Sequence, residues 1–296
     1  MSPSAAYSLS LDQARQLLVQ CLMSQSIFSA DQLNRIWAEL SLRVSPSSLS
    51  GEPAPSLTAI LNIANRKLTP LGFRVVNFPS HFDPTTSYYV FANLEDDEFS
   101  KKTSLSTMEI LYFELVIRRV VESPGCVADR RDLLNVLNDP LPHASTQDAT
   151  TQGEGSMDGG ASAPLPQRLN MTKLEAQNLL NQFIWEEWLS EFSQEAIDGL
   201  PSMDVMPTPG MVTLGPRAFV DLKPYLARMY NTPDEPEQQL LFECAVCRGL
   251  VGFGLSCRSI NCPGRVHLSC AARRPECPAC AAPWDTRRPP ESPLDA

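Results

Sequence analysis

The stretch from Cys244 to Cys280 reads CAVCRGLVGFGLSCRSINCPGRVHLSCAARRPECPAC and contains seven of the nine cysteines in the chain. One histidine lies among them, so eight residues that can bind a metal ion occur within one short segment. In order they are Cys244, Cys247, Cys257, Cys262, His267, Cys270, Cys277 and Cys280, with gaps of two, nine, four, four, two, six and two residues. This pattern is more specific than any other feature of the sequence.

The spacing favours two structural zinc ions. Tetrahedral Zn²⁺ takes four nitrogen or sulfur ligands, and a two-residue gap lets one turn aim two side chains at the same ion. Eight ligands complete two closed shells, so no zinc-bound water is expected. Disulfides fit less well, because seven cysteines cannot all pair. The N-terminal residues also lack the basic start and apolar core of a secretory signal, so we expect reduced thiols.

Two pairings of the eight ligands fit this spacing. In sequential ribbons the first four ligands hold one ion and the last four hold the other. In a cross-brace, Cys244, Cys247, His267 and Cys270 hold the first ion, and Cys257, Cys262, Cys277 and Cys280 hold the second. We favour the cross-brace because alternate pairing ties so short a segment into one compact unit, although spacing alone leaves both open.

Charge is distributed unevenly along the 296 residues. The net charge is −10, but residues 243–288 carry a formal +4, which leaves −14 for the remainder. The local excess of arginine offsets the −3 that two occupied shells would leave. The acidic remainder argues against nonspecific nucleic-acid binding. The strongest apolar run, at 110–117, is short and is interrupted by Glu114, so we expect no membrane span.

The first part of the chain shows three helical patterns and a hairpin. Ser10 with Gln13, and Ser29 with Gln32, form capping boxes that open two helices. A third apolar stripe follows at 57–68. The segments FRVVNF and YYVFAN flank a turn-rich stretch, as the two strands of a hairpin should. This order is typical of a winged helix.

A second unit of the same type follows. Ser106 with Glu109, and Thr172 with Glu175, form further capping boxes. The residues near 139–168 have low hydrophobicity, and we interpret them as a disordered insertion. The segment GMVTLG supplies a strand, so the second hairpin would be a wing with a long tip. Pro224 lies inside the last helical pattern, where a kink or a restart is expected.

The order of four cysteines, one histidine and three cysteines, with CAVC at one end and CPAC followed by AAPW at the other, resembles a variant RING finger. PHD histone readers share this order but usually have a longer gap before the last pair and an aromatic residue two positions ahead of it, where this chain has Pro275. Two winged-helix-like units before such a finger resemble the non-SMC element 1 family of the structural-maintenance-of-chromosomes 5/6 complex. The resemblance covers most of residues 7–288 outside the insertion.

We therefore predict an α+β, multidomain fold, with two winged-helix domains in tandem followed by a C-terminal cross-brace variant RING zinc finger. The predicted domains are 7–100 for the first winged helix, 101–232 for the second winged helix with its insertion, 240–288 for the finger, and 289–296 for a disordered tail.

The resemblance implies a RING-type ubiquitin transferase that docks a ubiquitin-charged conjugating enzyme without itself being acylated. Carried over by position, the docking residues are Val246, Leu250, Pro278 and Trp284. The alternative is that these four only pack around the zinc sites. Many active RINGs place an arginine directly after the last ligand. Here Ala281 stands in that position, which implies weak or partner-dependent activity.

The resemblance further implies a MAGE-like winged-helix partner and a kleisin subunit, DNA repair as the process, and a nuclear, chromatin-associated location. The third helix offers only Arg66 and Lys67 for contact with DNA, so we expect any DNA contact to be indirect. The competing hypothesis is a non-enzymatic subunit whose finger only mediates assembly. His81 and His143 stand alone in polar loops and receive no role, and we expect Cys21 and Cys126 to be plain thiols.

Overall fold

The computed structural model describes residues 8–49, 54–81, 85–94, 105–139, 169–201, 203, 205–231, 239–259 and 261–284. Of the predicted insertion at 139–168, only Asp139 falls within these ranges, and the predicted tail at 289–296 falls outside them. The described residues form helices and short antiparallel sheets in the predicted α+β order. Among them, no helix combines the length and the apolar character needed to cross a membrane.

The first unit begins with three helices, which are α1 (Leu11–Gln25), α2 (Ala30–Leu42) and α3 (Leu57–Leu68). Both capping boxes predicted for this unit are confirmed. The Ser10 hydroxyl accepts from the Gln13 amide at 3.2 Å, and the Gln13 side chain accepts from the Ser10 amide at 2.8 Å. The Ser29 box has the same geometry. Such boxes satisfy amides that have no partner inside the helix.

A three-stranded sheet completes the first winged helix. The predicted hairpin is confirmed as β2 (Phe73–Pro79) and β3 (Ser87–Asn93), joined in register from Phe73 opposite Asn93. A further strand that was not predicted, β1 (Ile27–Ser29), pairs with β3 and gives the strand order β1-β3-β2. The order of three helices and three strands along the chain is that of a winged helix.

The side chain of Asn65, on α3, covers the exposed edge of β2. Its amide nitrogen donates to the carbonyl of Val75 at 2.9 Å, and its carbonyl oxygen accepts from the amide of Val75 at 2.8 Å. Pro79, at the end of the strand, has no N–H to offer a further strand. Exposed strand edges pair readily with other chains, so these features protect the edge. The amide group of Asn65 is therefore already hydrogen-bonded within the first winged helix.

The second winged helix repeats this plan with a reduced sheet. Its elements are α4 (Thr107–Glu122), α5 (Arg130–Asn135), α6 (Lys173–Trp185), β4 (Leu189–Glu191), α7 (Gln194–Asp198) and β5 (Val212–Leu214). In place of a first strand, Ala128 exchanges two backbone hydrogen bonds of 2.9 Å with Val212. The predicted long wing is confirmed, since α7 lies between β4 and β5.

Two further helices close this unit, namely α8 (Pro216–Asp221) and α9 (Lys223–Tyr230). The chain breaks its helical geometry at Leu222, two residues before Pro224, so the predicted interruption is confirmed. The core beneath them is aromatic. Phe113 packs edge-on against Phe183 and Trp188, with ring centroids 4.8 and 5.4 Å apart.

The C-terminal unit is small and shares its core with the second winged helix. It contains β6 (Phe242–Glu243), β7 (Leu250–Val251), β8 (Leu255–Ser256), β9 (Arg265–Val266) and α10 (Leu268–Arg273). Leu241 and Leu250 belong to the hydrophobic core of the second winged helix. Conversely, Val127 and Phe192 belong to the core of the C-terminal unit. The two units are therefore packed as one body.

Glu187, in the turn between α6 and β4, is a strained and half-buried carboxylate. Its φ of 57° lies in the left-handed region, which side chains other than glycine rarely adopt. Burial raises its pKa from 4.5 to about 7, while a hydrogen bond with Ser190 lowers it. The folded chain thus holds a proton on Glu187 over a pH range in which the unfolded chain has lost it.

This shift predicts a pH-dependent stability term. Between about pH 4.5 and 7 the folded state binds more protons at Glu187, so stability falls as pH rises, and Glu187→Gln removes this fall. We compare the free energy of unfolding of the variant with that of the unmodified chain. This difference should be about 1 kcal/mol more favourable to the variant at about pH 8 than at about pH 6. Urea unfolding of both proteins measures the difference. An equal difference at both pH values would contradict the assignment.

Candidate metal centre

The first cluster lies between the turn after β6 and the start of α10. The ligand atoms of Cys244, Cys247, His267 and Cys270 all lie within 4.8 Å of one another. The Nδ1 atom of His267 is 3.4 Å from the Cys247 sulfur and 3.8 Å from the Cys270 sulfur. Its Nε2 atom lies 2.8 Å from the carbonyl oxygen of Leu250, to which it can donate. This arrangement leaves Nδ1 facing the sulfur atoms, in position to bind a metal ion.

The first turn is built to hold a thiolate. The amides of Val246 and Cys247 lie 3.4 and 3.5 Å from the Cys244 sulfur. Hydrogen bonding, above all with the side chain of Cys247, lowers the pKa of the Cys244 thiol. The thiolate is the form of cysteine that binds metal.

The second cluster consists of four cysteines, Cys257, Cys262, Cys277 and Cys280, again with all sulfur atoms within 4.8 Å. The sulfur of Cys257 lies 3.3 Å from that of Cys280, and the sulfur of Cys262 lies 3.8 Å from that of Cys277. Gly264 leaves room for them, since a Cβ there would lie 3.1 Å from the Cys277 sulfur. Ligands 2.0 to 2.3 Å from a tetrahedral ion are about 3.3 to 3.8 Å apart, so both donor sets fit a metal ion.

The grouping alternates along the chain, as in a cross-brace. The first and third ligand pairs meet in one cluster, and the second and fourth pairs meet in the other. A parallel bridge between Cys244 and Arg265 and an antiparallel bridge between Cys257 and Trp284 tie the segments together. The structure thus brings the eight residues together in the two predicted sets. Each set can hold a metal ion, and the assignment of that ion as zinc stays a prediction.

Matching turns follow the two Cys-x-x-Cys pairs at the ends of the finger. Arg248 and Ala281 each occupy the position after the second cysteine, with φ of 63° and 58°. Each donates its amide to the carbonyl of the first cysteine of its pair, at 2.9 Å for Arg248 and 2.8 Å for Ala281. The left-handed conformation is thus a property of this turn. Ala281 is exposed.

The four residues predicted to dock a conjugating enzyme are not equally accessible. Val246 is half-buried and Pro278 is exposed. Leu250 is 6% exposed because its side chain lies in the core of the second winged helix. Trp284 is 5% exposed, and its indole N–H donates to the carbonyl of Arg274 at 2.7 Å. Packing against its own chain therefore occupies the side chain of Leu250, and docking at these four positions stays a prediction.

His81, which received no role from its sequence context, lies against the first cluster. Its ring is 4% exposed and stacks on His267 with the centroids 4.0 Å apart. No local signal could have shown this, because the contact joins the first winged helix to the finger. His143 lies outside the described residues. Cys126 is a buried thiol whose pKa is raised to about 12 by burial, as suits a plain packing role.

Two winged helices followed by a finger with two alternating four-ligand clusters define the class of winged-helix proteins with a RING-like finger. A family model described as "Nse1 non-SMC component of SMC5-6 complex" matches residues 15–222, well over half of the chain. The chain belongs to this family. Because the match ends before the finger begins, the finger is defined by its own ligand geometry.

Curated relatives and a solved structure agree with this assignment. The non-structural maintenance of chromosomes element 1 homolog of Bos taurus is 30% identical over 203 residues, which make up 66% of this chain and 57% of the relative. The Mus musculus homolog is 25% identical over the same shares. The match thus spans less than two thirds of these relatives. A chain of a solved structure named "Nse1-Nse3-Nse4 complex" has a TM-score of 0.61 at 19% identity, over 97% of this chain and 100% of that chain, which shows a shared fold.

Proposed function

We propose that this chain is a RING-type ubiquitin transferase subunit of a chromosome-maintenance complex that acts in DNA repair. The observation that carries the proposal is the cross-brace arrangement of two complete ligand sets on a chain of this family. A sequential arrangement would have indicated a pair of zinc ribbons instead of a RING-like finger. The proposed subunit has its first winged helix at 7–100, its second at 101–232 and its finger at 240–288.

The metal ions in the proposal are zinc, held by the eight cysteine and histidine ligands. Each ligand set is complete with four members, so the ions would stabilise the finger and would activate no water. The chain itself would supply orientation. A ligase of this type holds the conjugating enzyme and its ubiquitin so that a lysine can attack the thioester, and orientation of reactants lowers the barrier.

The docking surface in the proposal is centred on Val246 and Pro278, which lie inside the first and last ligand pairs. Both are accessible, whereas Leu250 and Trp284 would act by supporting the turns that present them. The His267 hydrogen bond to the Leu250 carbonyl is one such support.

The proposed partners are a MAGE-like winged-helix subunit, bound through the winged helices, and a kleisin subunit, with a ubiquitin-conjugating enzyme bound at the finger. The structural relative is named as a complex of three subunits, which supports an assembly of this kind. We place the complex in the nucleus on chromatin. Outside the finger the chain is acidic, and the side chain of Asn65 is already hydrogen-bonded to β2 and so does not reach for a base. Both features favour indirect contact with DNA.

A second candidate function is a structural subunit whose finger only mediates assembly. Ala281 favours it, as does the burial of Leu250 and Trp284. The two candidates are separated by reconstituting the chain with its MAGE-like partner, ubiquitin-activating enzyme and a panel of conjugating enzymes. Ubiquitin chains that depend on this chain support the transferase. Their absence with every conjugating enzyme would leave the structural role.

Ala281→Arg is expected to increase transfer. The backbone at this position is already left-handed with a Cβ present, so arginine adds no backbone strain beyond that of alanine. A hydrogen bond from a charged group contributes about 1.5 to 3 kcal/mol, so a guanidinium that holds donor ubiquitin should raise the rate by about tenfold. Single-turnover discharge of ubiquitin from the conjugating enzyme to free lysine measures it. Ala281→Gln is the control for side-chain length without charge, and equal rates for all three proteins would contradict the prediction.

A further inference from the structure

The segment that follows β2 in the first wing contacts the finger through His81. Ser80 and His81 follow β2 directly and are only 5% and 4% exposed, although they lie in a loop rich in polar residues. The ring of His81 lies 4.4 Å from that of Phe219 on α8 and 4.8 Å from that of Phe78 on β2. It also lies 4.0 Å from the ring of His267, at an interplanar angle of 23°. Three units of the chain therefore meet at one imidazole.

His267 is constrained in its ring plane by two contacts. Nδ1 faces the sulfur atoms of the first cluster, and Nε2 meets the carbonyl of Leu250. These contacts fix which nitrogen can bind a metal ion, and they limit rotation within the ring plane. They do not prevent the ring from tilting out of that plane. The near-parallel ring of His81 covers one face of His267. Phe219 packs against His81 with the ring centroids 4.4 Å apart, so His81 is itself held and opposes such tilting.

We propose that His81 is a positioning residue for the metal ligand His267, and that it couples the first winged helix to the first metal cluster. Contacts beyond the direct ligands orient those ligands and commonly change metal affinity by about 10- to 100-fold. The second cluster has four sulfur ligands and no imidazole, so it offers no ring for a contact of this kind. The coupling should therefore be confined to one of the two metal sites.

The coupling also has a consequence for the first wing. Here Ser80 and His81, which follow β2 directly, are buried, and His81 packs on α8 and the finger, so a partner cannot contact His81 without separating it from the first cluster. Loss of metal from the first cluster should release Ser80 and His81 from the finger, because His267 would no longer be held in place.

The test uses the full chain loaded with ¹¹³Cd²⁺, in which the Cys₃His and Cys₄ sites give separate resonances. The inference rests on the proposed metal sites and not on ubiquitin transfer. We expect His81→Ala to shift the Cys₃His resonance and to speed loss of that ion to EDTA by about tenfold, with the Cys₄ site unchanged. His81→Phe keeps a flat ring and should stay within about threefold of the unmodified chain.

Val75→Ala is the matched control, because Val75 is buried in the core of the first winged helix and belongs to no cluster of the finger. It should leave both resonances unchanged. If His81→Ala does not fold, His81→Leu replaces it, since leucine fills the space without a ring. Equal acceleration at both sites, no acceleration at either, or the same acceleration in Val75→Ala would overturn the coupling. Fewer than two ions in the unmodified chain would instead refute the metal sites themselves.

Discussion

Cys270→Ser is expected to empty the first cluster, to unfold the finger and to destabilise the second winged helix as well. Structural zinc contributes about 10 to 16 kcal/mol in zinc-finger peptides, so a small unit cannot remain folded without it. The loss spreads because Leu241 and Leu250, just before and within the finger, are buried in the winged-helix core. Removing a buried leucine from a core costs about 2 to 5 kcal/mol, so losing two should lower the melting temperature of the helices by about 10 °C or more.

The measurement combines the metal content of the purified chain with thermal unfolding followed by its helical circular dichroism signal. The unmodified protein should hold about two ions and Cys270→Ser at most about one, with the remaining ion weakly bound because the cross-brace ties both clusters into one unit. Cys21→Ser is the control, since Cys21 is a half-buried thiol of the first winged helix. A variant that keeps two ions, or an unchanged melting temperature, would refute the spread of unfolding through the shared core.

The features that could be predicted from the sequence are those whose cause is local or chemical. The capping boxes at Ser10 and Ser29 depend on partners three residues away, so both partners are visible in one short window. The two clusters of candidate metal ligands could be predicted because few residue types bind metal. Eight such residues at finger-like spacing seldom occur together in a chain that binds no metal ion.

The features that were missed depend on distant parts of the chain. A strand as short as β1 shows no periodicity, and it exists because Ile27 pairs with Val90 on β3. His81 lies in a segment typical of an exposed loop, and it is buried only because α8 and the finger cover it. The burial of Leu250 was not visible in the sequence for the same reason. The resemblance gave its position in the finger but not the winged-helix core that covers it.

The double variant Val246→Ala with Pro278→Ala is expected to abolish most transfer while leaving the fold and the complex intact. Pro278 is exposed, and the half-buried Val246 loses only part of its packing, so neither change should empty a metal cluster. Truncating a central interface residue costs about 2 kcal/mol or more. Because each 1.4 kcal/mol is tenfold in an equilibrium constant, we expect binding of the conjugating enzyme, and the rate of ubiquitin discharge, to fall by at least about tenfold.

The matched control is Pro263→Ala, since Pro263 is also an exposed proline that directly follows a ligand of the second cluster, Cys262. It removes the same atoms next to another ligand of that cluster, so unspecific loosening of the finger would slow transfer in Pro263→Ala as well. Reduced discharge in the double variant, with normal discharge in the control and normal assembly in both, would support the transferase.

If discharge is absent in all forms while the double variant supports both assembly and repair, then the finger acts only as a structural element. In that case the exposure of Val246 and Pro278 has no role in catalysis, and the shared core with the second winged helix becomes the main reason for the metal clusters.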